Sequence, residues 1–132
     1  IVGRPPALPQ QDPACGVLRQ QLRHDLILLT AMAESDGHIS LTESDAILSY
    51  IRHRAEVLGI DLDDVRQQKM QGFVRRFRPT PHQISESIDE ISSRPSKAQM
   101  EIMTVCAEVM LADGEVHAAE VQLLEQIRSQ LS

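Results

Sequence analysis

Residues 14–34 read ACGVLRQQLRHDLILLTAMAE, and their spacing decides the fold. Leu18, Leu22, Leu26, Leu29 and Ala33 recur at i, i+4, i+8, i+11 and i+15, which is one face of an α-helix. Ile27, Leu28 and Met32 widen that apolar stripe, so this helix is expected at the centre of the domain. Its longest apolar stretch runs from Leu26 to Ala33 and is interrupted by Thr30. A bilayer span needs about 20 apolar residues, so no transmembrane segment is expected, and no signal-peptide pattern precedes the helix.

Outward from this helix the rest of the chain keeps helical spacing. Upstream, residues 1–13 carry Pro5, Pro6, Pro9 and Pro13 and read as an extended linker or disordered lead-in, leaving 14–132 as the domain. Downstream, a second helix is expected from Leu41 to Leu58, with Ile47, Ile51 and Leu58 inward and Gly59 as its C-terminal cap. Asp61 or Asp63 can cap a third helix, with Leu62, Val65, Lys69, Phe73 and Phe77 near one face and Pro79 ending it. Thr80-Pro81 starts a short fourth helix with the stripe Ile84, Ile88 and Ile91. Ser96 is expected to cap a fifth helix carrying Met100, Met103, Cys106 or Ala107, and Met110. A last helix from Ala118 to Leu131 would bury Val121, Leu124, Ile127 and Leu131. No segment alternates with period two. The fold class is therefore all-α, a compact single-domain bundle of about six helices.

Composition agrees. The 132 residues are 42% hydrophobic but include only Tyr50, Phe73 and Phe77 as aromatics, so the core is aliphatic. A chain of this size buries roughly two-thirds of its unfolded surface and needs no staple to fold. Cys15 and Cys106 make no disulfide framework, and a buried thiol in an apolar helix is ordinary. A reducing, cytoplasmic location is expected. The formal charge of −6 repels nucleic-acid phosphate and favours cations or basic partners. Because the sequence begins with Ile1 and not Met, it is expected to be an excised domain or a processed piece of a larger protein.

Two segments repeat one another. Residues 31–43 read AMAESDGHISLTE and residues 108–120 read EVMLADGEVHAAE. Both follow the pattern Asp-Gly-x-[Ile/Val]-x-x-x-Glu, which aligns Asp36, Gly37, Ile39 and Glu43 with Asp113, Gly114, Val116 and Glu120. The spacing matches the second half of a calcium-binding EF-hand loop, where glycine permits the turn and glutamate closes the site. The earlier ligand positions, however, hold Met32 and Glu34 in the first segment and Val109 and Leu111 in the second, so neither loop can coordinate calcium in the usual EF-hand way. A purely structural reading is also complete in itself. Gly37 and Gly114 end helices, Asp36 and Asp113 are good turn residues, and Ser40-Leu41-Thr42-Glu43 is a capping box. Glu34, Glu108 and Glu115 stand close to the same turns. If the two hairpins pack together, these carboxylates form an oxygen-rich surface suited to Ca²⁺ or Mg²⁺. His38 and His117 offer a Zn²⁺ alternative.

The second segment, and the recurrence of its Asp-Gly pattern between helices, resembles the signature of TerB-like domains. The same unit is similar to the N-terminal portion of a membrane-anchored DnaJ-type co-chaperone. The resemblance spans roughly residues 15–131. It implies a helical domain of bacterial stress responses, among them tellurite resistance and phage defence, whose acidic residues are linked to divalent cations. By position these residues are Asp36, Glu43, Asp113 and Glu120. Ser35 before the first Asp and His38 after the first Gly depart from the pattern and argue against two equal sites.

Other chemistry is sparse. No nucleophile motif, nucleotide loop or zinc-peptidase helix is present, and sugar-stacking aromatics are lacking, so no enzyme is expected. Arg66, Lys69, Arg75, Arg76 and Arg78 form a local basic patch. Its last three members can complement a helix dipole, or the whole patch can meet an anionic partner. Phe73 and Phe77 are spaced for the core and not for base stacking. Met32, Met100, Met103 and Met110 read as core filling. Two functions remain: a cation-binding stress-response module, or a metal-free adaptor that docks a protein partner or a neighbouring domain. No nucleic-acid partner is expected, and peripheral membrane attachment is left open.

Overall fold

The leucine-rich stretch forms two consecutive helices, α1 (Pro13–Gln21) and α2 (Arg23–Glu34). They replace the single helix expected over 14–34. The interruption at Leu22 is slight, because its N–H still donates to the Leu18 carbonyl (2.9 Å) and the Leu26 N–H donates to Leu22 (2.8 Å). The computed structural model describes residues 13–34, 39–112, 114 and 117–131. Five further helices follow in it: α3 (Leu41–Leu58), α4 (Asp64–Arg76), α5 (Pro81–Ser92), α6 (Ser96–Leu111) and α7 (Ala118–Gln130). No strand occurs among the described residues. The protein is all-α.

Local chemistry sets most of the boundaries. Gly59 closes α3 at φ +74°, a left-handed conformation that glycine adopts without penalty, and donates to the Ala55 and Glu56 carbonyls. Asp63 is the cap of α4, its carboxylate accepting the Arg66 N–H at 2.9 Å. Thr80 and Gln83 form a reciprocal capping box at α5, with Pro81 at the first helical position. At α6 the expectation fails. Ser96 is the first helical residue and Pro95 the cap, with no side-chain hydrogen bond. Gln99 instead ties this end down, donating to the carbonyls of Ser92 (3.0 Å) and Arg94 (2.9 Å).

Helix α2 is the axis of the domain. Every residue from Asp25 to Ala33 is buried, and α2 packs on α5 and α6 and also on α1, α3 and α7. Thr30 is accommodated there by donating its hydroxyl back to the Leu26 carbonyl (2.6 Å). Ile47, Ile51, Ile88, Ile91, Ile102, Val109 and Ile127 close around it from the other helices.

Inward faces differ from expectation on four helices. On α6 the buried residues are Gln99, Ile102, Cys106 and Val109, while Met100 stands 69% exposed. The true stripe lies one residue earlier, a rotation of about 100°, and Met103 and Met110 sit at its margin. On α4, Met70 and Val74 are the core residues and Val65 is exposed. Leu58 and Val121, expected inside, are also exposed, and Leu124 packs only against the edge of the core. In each case shape decided between apolar candidates that periodicity could not rank.

Candidate functional site

The repeated junctions are built from helix-capping chemistry. In the first, Ser40 precedes α3 with an extended backbone, and its hydroxyl accepts the Glu43 N–H at 3.1 Å. The Ser40 N–H in turn donates to Glu43 Oε1 at 2.9 Å. Both bonds satisfy helix-start donors, as a capping box does. Glu43 itself is 0% exposed. Its Oε2 is buried and has no hydrogen-bond partner among the described residues.

The second junction repeats the back-reaching bond. Helix α6 ends at Leu111, and Gly114 adopts φ +78° with its N–H donating to the Leu111 carbonyl (3.1 Å). The chain re-enters a helix at Ala118, where Glu120 Oε1 accepts the N–H of His117 at 3.2 Å. Glu120, like Glu43, is 0% exposed. Glutamates aligned by sequence thus occupy the same place in space relative to their helices.

The other expected ligands are distributed less uniformly. Glu34 is half-buried at the end of α2, and Glu108 is exposed on α6. Asp36, Asp113, Glu115 and His38 lie outside the described residues. Among the described residues no group of three or more His, Cys, Asp or Glu side chains gathers in metal-binding geometry.

In the basic patch, Arg66 donates to the Asp61 carbonyl (2.6 Å) and Arg78 to the carbonyls of Arg75 and Phe77 (both 2.9 Å). Those two guanidiniums serve the ends of α4, while Arg75 and Arg76 stand exposed and Lys69 is half-buried. Phe73 and Phe77 stack on each other with centroids 5.1 Å apart, and Arg19 lies over Phe73.

Both glutamates and both junctions fall within residues 23–132, which match the family described as Tellurite resistance protein TerB. The chain belongs to the TerB family. No curated protein and no solved structure matches it. The TerB match begins at α2, so α1 precedes it, although Cys15 and Leu18 of α1 are buried in the same core. No helix among the described residues of this TerB domain is long and apolar enough to cross a membrane.

The TerB segment also contains a polar network that sequence reasoning missed. Asp25, on α2, is buried and forms an ion pair with Arg94 at 2.7 Å, while the Tyr50 hydroxyl donates to its other oxygen. Burial first, then the Asp25 charge and this hydrogen bond, push the Tyr50 phenol well above its ordinary range, with Arg54 and Arg94 acting in the opposite sense. The same burial, with Asp25 as the lesser cause, pushes the Cys106 thiol up to about 12 and leaves it an inert core group. A signal for Asp25 existed. It falls at i+7 on the face of Leu18, Leu22 and Leu29, where a carboxylate needs a partner.

Proposed function

We propose that this TerB-family chain is a non-enzymatic stress-response module of the tellurite-resistance type that binds a divalent cation at its Asp-Gly junctions. The observation that carries the reading is Glu43 Oε2. The capping box accounts for one carboxylate oxygen. The second is buried with no hydrogen-bond partner among the described residues. An ionised carboxylate in the interior costs several kcal/mol unless a charge offsets it. A hard cation approached from the Asp-Gly side supplies that charge and uses the free oxygen.

The donor set fits such an ion. Glu43 with Asp36, and Glu120 with Asp113, would hold it, with Glu34, Glu108 and Glu115 within reach along the chain. All are oxygen donors, which favours Ca²⁺ or Mg²⁺ over Zn²⁺. When bound, the cation would lock each turn onto the start of its following helix. The chain's own residues orient it, with the back-reaching bonds holding the glutamates in place.

Calorimetric titration of EDTA-treated protein with Ca²⁺, Mg²⁺, Zn²⁺ and Mn²⁺ tests this, with Glu43→Gln and Glu120→Gln alongside. Glutamine can keep the back-reaching bond, so these variants remove charge and spare the cap. Affinity at micromolar level or tighter, lost in the double variant, is the expected result. An ion at a hundredfold excess over its Kd should also stabilise the fold by about 2.7 kcal/mol. Absence of both heat and stabilisation would discard the cation reading. The metal-free adaptor would then take its place, supported by exposed Val57, Val65, Met100 and Leu111.

A further inference from the structure

We infer that the cleft between α3 and α6 binds an amphipathic monoanion, a carboxylate joined to an apolar body. This site is separate from the Asp-Gly junctions and stands whether or not they hold a cation. Tyr50, His53 and Arg54 of α3 face Lys97, Met100 and Glu101 of α6 across a cavity of about 590 Å³. That size lies in the ordinary range for small-molecule sites, about 300–1,000 Å³. A smaller recess of about 210 Å³ continues from it, sharing Tyr50, Arg54 and Glu101 and bounded further by Gln21 and Arg94.

Charge selects the ligand's head. Arg54, Arg94 and Lys97 line the two cavities against the single acid Glu101, on a chain whose net charge is −6. Arg94 is committed to Asp25 at 2.7 Å. Arg54 is the guanidinium left to meet a ligand. Its side chain lines both the cleft and the recess. A carboxylate entering the recess meets this guanidinium charge. Glu101 lines both cavities, so a dianionic phosphate is disfavoured and a monoanion is preferred.

Apolar surface selects the body. Met100 is 69% exposed and lines the cleft together with Val105 and Tyr50. Methionine adapts its shape to varied apolar partners. Tyr50 and Arg94 are held by contrast, because Asp25 binds both the Tyr50 hydroxyl and the Arg94 guanidinium. A fixed polar end and an adaptable apolar end describe a carboxylate with a flexible hydrocarbon part.

The test is an amide chemical-shift titration of EDTA-treated, ¹⁵N-labelled protein with octanoate, with acetate and 1-octanol as controls. Removing metal first separates this result from any outcome at the junctions. Saturable shifts confined to residues 50–54 and 97–105 are expected with octanoate. Acetate and 1-octanol should each bind at least tenfold more weakly. Arg54→Gln should weaken octanoate at least tenfold. Should that variant lose its fold, Met100→Glu decides instead, because an exposed position tolerates the change, and it too should weaken octanoate at least tenfold. Equal affinity for 1-octanol, unchanged affinity in the variants, or shifts scattered over the surface would overturn the proposal. Once octanoate binding is established, sedimentation of octanoate-free protein with phosphatidylcholine vesicles carrying oleate assigns the natural acid to a bilayer, and failure to sediment assigns it to solution.

Discussion

Asp25 and Glu43 are both carboxylates hidden from solvent, yet the fold treats them differently. Asp25 has a counter-charge within the protein: Arg94 lies 2.7 Å from one oxygen, which accepts no hydrogen bond among the described residues, and Tyr50 donates to the other. Glu43 receives one backbone N–H at the helix start, and its second oxygen has no such donor. Of these two buried acids, one faces a guanidinium and the other faces no cation among the described residues.

The sharpest way to break this comparison is to strip Asp25 of its cation. Arg94→Met leaves a buried carboxylate without a counter-charge, and urea denaturation should show a loss of about 3 kcal/mol. Tyr50→Phe removes one hydrogen bond to a charged acceptor and should cost about 2 kcal/mol by the same measurement. The third test uses alkali. The folded Cys106 thiol sits near 12 against an ordinary value of 9.0. The folded state therefore holds its proton more tightly than the unfolded chain does. Cys106 then contributes stability that is complete below pH 9 and is lost as pH rises towards 12. Its slope is at most about 1.4 kcal/mol per pH unit, and Cys106→Ala should flatten that part of the profile. The smallest effect belongs to Glu43. In metal-free protein Glu43→Gln keeps the cap and removes an uncompensated charge. Its unfolding free energy should match or exceed that of wild type. A loss as large as that of Arg94→Met would mean that Glu43 has a protein partner and is no ligand.

Much of this architecture was legible before any coordinates. Ser40, Gly59, Asp63, Thr80 and Pro81 mark helix ends through chemistry confined to four or five residues, and each does so in the structure. The helical class follows from the leucine spacing of residues 18–33. Local reasoning was weaker where several apolar residues competed for one face. On α6 it favoured Met100 over Ile102, because periodicity alone does not weigh side-chain shape against neighbouring helices. The Asp25 network was missed for a different reason. Its partners stand 25 residues away on α3 and after α5, so the pairing exists only once α2 is surrounded. For the junctions, sequence correctly paired Glu43 with Glu120. Their deep burial was not foreseen, because a capping glutamate is usually a surface residue.

Helix α1 carries a practical lesson for anyone drawing boundaries on this domain. The family match starts at Arg23, but Cys15, Leu18 and Leu22 lie before it and are buried against α2 and α4. A fragment cut at the family limit would bare a leucine-lined trench along the central helix. Such a fragment should express poorly and self-associate, whereas one beginning before Pro13 should remain monodisperse.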